Sequence, residues 1–320
     1  MISQILRTVH GIIFGFRPLN LFLIASVHKL TQRVFVPNKE AFNKGSAYYS
    51  DLNNALNALL WASVLIAAAG YLVNDYTDKK TDRINNPKKP SNLLIGHPLI
   101  FSSVWIGLNL WACVLGFSID LETQDTHYGF LFLGIIALLW GYNQSKWSKF
   151  IIGPVMISVL VALNSVLVMD LSLGFYVRAG QLPLSTHIQN EMFTQEVIWI
   201  WRIAILAFLT NLIREFVKDI QDVNGDKNAG RNTLAVILGV TRTAKLSFGL
   251  SLILIIFLAG FVALAWPLNP VFGLHLTAIL ILSALVAYKS IGIEKPSQAK
   301  SLSLYLKLIL ALGLLSLFWL

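Results

Sequence analysis

The sequence predicts an all-α integral membrane protein with nine transmembrane helices, in a single domain over residues 1–320. Three observations carry this. First, 56% of the 320 residues are hydrophobic, only 13% are charged, and the mean hydropathy is +0.66. An average soluble domain carries about twice that share of charge and could not hide so much apolar surface. Second, apolar runs near the ~20 residues that cross a bilayer recur along the whole chain, with no soluble domain or low-complexity tract between them. Third, the basic residues fall unequally between alternate connections, as membrane topology requires. Together these exclude intrinsic disorder, a secreted disulfide scaffold and a nucleic-acid binder, despite a net charge of +9.

The first span covers residues 19–36 and is expected to kink at Pro18, where an earlier apolar stretch from near Ile5 runs in. Arg7 and Arg17 punctuate that stretch, so no cleavable signal peptide is expected. The second span, 55–73, ends where the first acidic stretch begins. The third, 98–119, opens on Pro98, and the fourth, 128–142, is short. The fifth, 151–171, precedes a polar connection. The sixth, 197–216, leads into the second acidic stretch. The last three cover 244–266, 271–288 and 302–320. With the N-terminus inside, 19 of the 25 basic residues lie on the inner side, including Lys79, Lys80, Arg83, Lys88 and Lys89 after the second span. This favours a cytoplasmic N-terminus and an outer C-terminus. Four bases between the first two spans, Lys29, Arg33, Lys39 and Lys44, run against the bias, while the outer connection with Asp120, Glu122 and Asp125 is acidic.

Two inner connections carry the same pattern, DxxDxxxD. Asp75, Asp78 and Asp82 form the first copy and Asp219, Asp222 and Asp226 the second, 144 residues later; together they hold six of the chain's 16 acidic residues. On a helix, positions i, i+3 and i+7 lie within about 60° of one another, so each triplet lines one face at the inner end of a span. Carboxylates this crowded repel unless a cation neutralises them. Oxygen-only donors suit a hard ion, and Mg²⁺ is favoured where a phosphate completes its shell. Bases accompany the acids. Lys79, Lys80 and Arg83 follow the first triplet, Arg214, Lys218, Lys227 and Arg231 bracket the second, and Lys146 and Lys149 follow the fourth span. Acid, metal and base together can grip a diphosphate and stabilise it as a leaving group.

Blander explanations account for other features. Asp222–Asp226 is no EF-hand loop, because Gly225 sits at the fourth position and Thr233 occupies the place of the bidentate glutamate. Cys113 is the only cysteine, which excludes an intrachain disulfide and a cysteine metal cluster. The six histidines show no metal spacing, and Walker A, GxSxG and GxGxxG motifs are absent. Lys289, Lys295 and Lys300 read as topology signals.

The chain resembles the UbiA superfamily of intramembrane prenyltransferases. Its NxxxDxxxD signature is matched by Asn74, Asp78 and Asp82, and its DxxxD signature by Asp222 and Asp226, with Asp219 completing the triplet. The likeness extends to Arg17-Pro18-x-Asn20 and to Tyr142 followed by Lys146 and Lys149. The resemblance implies nine helices ringed around a central cavity open sideways to lipid. It implies that Asn74, Asp78, Asp82, Asp219, Asp222 and Asp226 hold Mg²⁺ on a prenyl diphosphate donor, with Asp78 and Asp222 acting most directly on the departing diphosphate. Arg17, Asn20, Asp75, Arg83, Tyr142, Lys146, Lys149 and Lys218 are the candidate substrate contacts. The stretch Arg214–Asp226 looks like the archaeal-type branch, which adds geranylgeranyl to geranylgeranylglyceryl phosphate. After the first motif the chain departs from that branch, with Lys89-Pro90-Ser91-Asn92 in place of Arg-Pro-x-Pro-Ser-Gly.

Two further functions compete. One is prenylation of an aromatic acceptor, a hydroxybenzoate or naphthoate, on the way to a quinone. The other is a transporter or metal-binding membrane protein without catalysis. Transporters usually set their ionisable groups near mid-membrane within broken helices, whereas these acids sit at span ends beside a basic surface. That placement favours an enzyme acting on a membrane lipid or amphiphile whose polar head meets the inner interface.

Overall fold

The computed structural model describes residues 15–35, 47–85, 97–124, 126–144, 150–178 and 187–320, and no strand occurs among them. The helices in order are α1 (Pro18–Phe35), α2 (Ala47–Asn85), α3 (Pro98–Thr123), α4 (Tyr128–Gln144), α5 (Ile152–Arg178), α6 (His187–Asn228), α7 (Leu234–Leu238), α8 (Val240–Leu268), α9 (Pro270–Ile291) and α10 (Ala299–Leu315). Short 3-10 turns occupy Pro296–Gln298 and Ser316–Trp319. Each of the nine apolar segments falls largely within one of these helices, and only the five-residue α7 has no counterpart among them. Among the described residues seven helices are long and apolar enough to cross a membrane, which with the fold makes this an all-α integral membrane protein. Helix α1 falls outside the seven: His28, Lys29, Gln32 and Arg33 interrupt its apolar residues. So does α4, which is short, as its sequence foretold.

The chain forms two compact units, Met1–Ser145 with Leu167–Met192, and Lys146–Val166 with Phe193–Leu320.

In the first unit α2 is the spine. Leu52, Leu56, Leu59, Ala62, Ile66, Ala69 and Val73 recur every three or four residues and are all buried. Helix α1 meets α2 through a polar seam. Lys29 Nζ donates to Gln32 Oε1 at 3.2 Å and to Asn57 Oδ1 at 2.8 Å, and Gln32 Nε2 donates to Asn53 Oδ1 at 3.3 Å. Such pairs hold helices together where the lipid offers polar groups no partner. Helices α3 and α4 form a close hairpin. A Cβ on Gly116 would lie 2.6 Å from the Phe132 ring, and one on Gly129 would lie 2.4 Å from Phe117. Asp120, at the end of α3, accepts from the backbone N–H groups of Tyr128 and Gly129 at 2.8 and 2.9 Å. It satisfies the opening turn of α4, where a carboxylate also complements the helix dipole.

In the second unit α6 plays the corresponding part. Its Ile200, Ala204, Leu209, Ile213, Val217 and Ile220 are buried, and most of them join residues of α8, α9 and α10 in one core that includes Leu254, Leu258, Leu276, Ile279 and Leu306. Asn211 Nδ2 donates to Ser158 Oγ of α5 at 3.2 Å, a buried polar tie within the apolar region. Gln221 Nε2 donates to the Ala299 carbonyl at 3.0 Å, holding the start of α10 against α6. Asn269 turns the chain from α8 into α9, accepting from the N–H groups of Val271 and Phe272 as an N-cap does.

Candidate active site

Both acidic motifs lie on helix rather than in connections. Helix α2 is 39 residues long and α6 is 42, about 60 Å each at 1.5 Å per residue. Each therefore outruns the ~30 Å hydrocarbon core and carries its motif in its C-terminal turns. Helix α2 is described as far as Asn85, and Pro87 follows in the sequence. Helix α6 ends at Asn228; Ala229 N–H bonds to the Gly225 carbonyl, and Gly230 takes a φ of +68°, the left-handed closure that glycine allows.

The two motifs keep one register. Taking Val73 and Val217 as the centres of the buried stripes, Asp75/78/82 and Asp219/222/226 all lie roughly 140–200° round their helices. The carboxylates thus line the face opposite the apolar one. C-terminal turns present unpaired carbonyls and the negative end of the helix dipole, so acidic residues here are placed against local preference and favour a cation.

In the first motif Asn74 Nδ2 donates to Asp78 Oδ2 at 3.0 Å. Thr77 Oγ1 lies 3.3 Å from Asp78 Oδ1 and 3.1 Å from the Asn74 carbonyl, and donates towards both. Asn74 and Asp78 are one turn apart and touch, as NxxxD spacing requires. Asp75 points elsewhere. It is buried, and its Oδ1 is 3.1 Å from Arg17 Nη2. The Arg17 guanidinium also lies over the Tyr71 ring, 4.9 Å from its centroid. Tyr71 and Asp75 are i and i+4 on α2, so one helical face grips Arg17 by charge and by ring. Arg17 has a φ of +50°, unusual for a residue with a Cβ, and its carbonyl receives the N–H of Asn20 at 2.8 Å. The break before α1 thus falls at Arg17, immediately ahead of Pro18.

In the second motif Asp222 is half-buried on α6. Asp226 is buried and 3.4 Å from Arg231 Nη1, and its carbonyl accepts the Arg231 backbone N–H at 2.9 Å. Asp219 Oδ2 accepts the N–H of Leu234 at 3.3 Å, at the first residue of α7. Arg214 Nη1 pairs with Glu215 at 2.8 Å, and Lys218 is half-buried beside the motif. Tyr142 is half-buried near the end of α4. The side chains of Asp82 and Arg83, on the last turns of α2, and both Lys146 and Lys149 lie outside the described residues, as does the divergent stretch 89–92.

The structure thus joins Asn74 to Asp78 and Arg17 to Asp75. It adds Tyr71 and Thr77, which the sequence did not single out, and pairs Arg231, one of the bases bracketing the second triplet, with Asp226; Tyr71, four residues before Asp75, was the one local signal. Among the described residues no three His, Cys, Asp or Glu side chains converge tightly enough to chelate an ion alone. The donors fit Mg²⁺ all the same. They are carboxylate and amide oxygens, the hard donors that Mg²⁺ takes.

Residues 46–317 match the model of the UbiA prenyltransferase family. The digeranylgeranylglyceryl phosphate synthase of Korarchaeum cryptofilum is 30% identical over 253 residues, 78% of this chain and 80% of that protein. The enzyme of the same name from Sulfolobus acidocaldarius is 32% identical over 247 residues, 74% of this chain and 76% of that one. Among solved structures, a UbiA homologue from Archaeoglobus fulgidus bound to GPP and Mg²⁺ shares the fold with a TM-score of 0.54 at 17% identity, covering 96% of this chain and 99% of that one. A structure from work on digeranylgeranylglyceryl phosphate synthase in membranes gives a TM-score of 0.59, also at 17% identity, with 97% of both chains covered. With its two aspartate motifs on matching helices and its family match over most of its length, the chain belongs to the UbiA prenyltransferase family and is a membrane-embedded prenyltransferase.

Proposed function

We propose that this enzyme transfers a geranylgeranyl group from geranylgeranyl diphosphate to geranylgeranylglyceryl phosphate, making a second ether link on the glycerol. The observation that carries this is the pair of archaeal relatives of that name, at 30% and 32% identity over most of both chains. The inner bases Lys79, Lys218, Lys227 and Arg231 support it, since this acceptor brings a phosphate of its own in addition to the donor's diphosphate.

The residues divide the work as follows. Asn74, Asp78 and Asp82 on α2, and Asp219, Asp222 and Asp226 on α6, would hold Mg²⁺. When bound, the ion shields the diphosphate and stabilises the negative charge that grows on it as it leaves. The allylic C1–O bond of the donor breaks towards diphosphate, the acceptor's hydroxyl oxygen bonds to C1, and the hydroxyl proton is released. Lys218, Arg83, Lys146 and Lys149 are the chain's candidate contacts to phosphate oxygens, with Asn20 and Tyr142 bordering the substrates.

The test is to assay purified enzyme with Mg²⁺, geranylgeranyl diphosphate and a choice of geranylgeranylglyceryl phosphate or 4-hydroxybenzoate. The expected product is the diether from the glycerol phosphate, identified by mass, and none from the benzoate. Prenylation of the benzoate with the glycerol phosphate untouched would reassign the acceptor to the aromatic class and leave the metal site as it stands.

The same proposal sets the C-terminal ends of α2 and α6 in the cytoplasm, together with the N-terminus. Within the second unit, Arg242, Lys245, Lys289, Lys295 and Lys300 are all exposed at one end of α8, α9 and α10, as the positive-inside rule expects of cytoplasmic ends. In a Cys113→Ser background, Ile84→Cys and Asn228→Cys are expected to react with an impermeant thiol reagent from the cytoplasmic side, and Gln124→Cys from the other. Labelling of positions 84 and 228 from opposite sides would sink the common site.

A further inference from the structure

We propose that Arg202, stacked over Trp199 and Phe261 where α6 meets α8, binds the phosphate of a membrane phospholipid in the leaflet opposite that of the α6 acidic motif. Arg202 lies 17 residues before Asp219 and 24 before Asp226, about 25 to 36 Å along the helix at 1.5 Å per residue. It therefore plays no part in the proposed metal site. The hydrocarbon core of a bilayer is ~30 Å thick, so a motif at one interface sets Arg202 near the other.

The second unit marks that level by its composition. The exposed bases of α8, α9 and α10, from Arg242 to Lys300, lie at one end. Trp201, Trp266 and Trp319 are exposed towards the other end of α6, α8 and α10. Tryptophan gathers in this way at a membrane–water interface, where its ring sits among the headgroups. Asn269, which turns α8 into α9, lies at the same end.

The geometry at Arg202 is that of a cation held ready for an acceptor. Its guanidinium carbon is 4.4 Å from the centroid of Trp199, one turn earlier on α6, and 5.6 Å from that of Phe261 on α8. Trp199 is buried, and its ring packs on Phe272 of α9 at 5.2 Å and on Phe261 at 6.3 Å. Three helices thus fix the platform. A guanidinium stacked on a ring keeps its in-plane N–H groups for hydrogen bonds. Among the described residues no acid accepts them: Glu196, the nearest acid on α6, forms no ion pair with Arg202. A half-buried arginine at membrane depth is costly unless an anion covers it. Ile198 and Ile205 of α6, and Phe257 and Leu264 of α8, lie one turn before and after Arg202 and Phe261, and all four are exposed. These apolar flanks suit acyl chains rather than a soluble anion. A phospholipid brings both parts, with phosphate oxygens for the guanidinium fork and chains for the flanks.

The test uses the full-length enzyme, purified in an uncharged detergent. Phosphatidylglycerol, a diacylglycerol with the same chains, or inorganic phosphate is added, and the most tightly retained molecule is read by native mass spectrometry. Wild type is expected to hold phosphatidylglycerol about tenfold more tightly than the diacylglycerol, and to melt several degrees higher with it. Arg202→Gln should lose that retention about tenfold together with the thermal gain, and Arg202→Lys about threefold, because an ammonium keeps the charge but gives up the stacked fork. Arg242→Gln, at the opposite end of the unit, should keep both. Wild-type retention in Arg202→Gln, equal retention of the diacylglycerol, or loss in Arg242→Gln in its place overturns the site. Displacement of the lipid by inorganic phosphate, with the same thermal gain, shows a soluble-anion site and overturns the lipid assignment. If Arg202→Gln does not fold, Arg202→Lys decides the matter alone.

Discussion

Asp78→Ala and Asp222→Ala are each expected to lower turnover by about a hundred- to a thousandfold, the loss found when one preorganised stabiliser of developing charge is removed. Asp78 sits on the face of α2 opposite its buried stripe, with Asn74 and Thr77 donating towards its two oxygens. Truncation takes the acceptor from Asn74 Nδ2 and removes the central member of NxxxDxxxD. Asp222 holds the same register on α6. In the proposed arrangement both act on the diphosphate as it departs, so the loss should appear in kcat at saturating substrate as well as in kcat/KM. The double variant should lose less than the product of the two, because residues that serve one leaving group act as a unit. Lys295→Ala is the control. Lys295 is exposed beside a 3-10 turn in the second unit, and its loss should change turnover less than twofold, within the scatter of surface substitutions of about 0.5 kcal/mol. Equal losses at all three positions, or melting temperatures that fall in step with activity, would mean that the variants had unfolded.

The parts of this site that repeat along the chain were legible in the sequence, and the parts made by distant pairing were not. The apolar periods located the apolar helices, and the DxxDxxxD spacing located the carboxylate faces, because both depend only on positions a few residues apart. Seven of the nine segments meet the length and hydropathy of a membrane span; α1 does not, since its seam of Lys29 and Gln32 with Asn53 and Asn57 uses polar residues to hold helices together. The extent of α2 and α6 was underestimated. A fall in hydropathy after Val73 and Val217 resembles the end of a helix, but only the end of an apolar environment is implied, and no proline or left-handed glycine stops either helix for another ten residues or so. The pairing of Asp75 with Arg17 was hidden altogether. Arg17 and Asp75 are 58 residues apart, and nothing in the spacing of three identical residues says which has a partner from another element. Asp120 shows the same limit: its acidity marked a connection, whereas its carboxylate binds the opening N–H groups of α4.

Chelation by EDTA is expected to abolish activity, and added Mg²⁺ to restore it, with the loss traceable to donor binding as well as to chemistry. Both motifs set carboxylates in C-terminal helix turns, where the carbonyl ends of the helix dipole add negative potential. A prenyl diphosphate brings further negative charge to that surface. Two unit charges 4 Å apart repel by about 4 kcal/mol at an effective dielectric constant of 20, and several such pairs would arise at once. Two of the neighbouring bases, Arg17 and Arg231, are already engaged with Asp75 and Asp226. The metal-free enzyme should therefore bind an unreactive prenyl thiodiphosphate far more weakly than the Mg²⁺ form, as read by isothermal titration. Mg²⁺ alone should raise the melting temperature, because a ligand that binds the folded arrangement stabilises it by mass action. Ca²⁺ should restore binding better than turnover, since its larger, more flexible shell accepts the same oxygens at longer range and stabilises the leaving group less well. Full activity in EDTA, or thiodiphosphate binding indifferent to the metal, would remove the carboxylate–metal–diphosphate arrangement from this enzyme and leave the two triplets without a catalytic role.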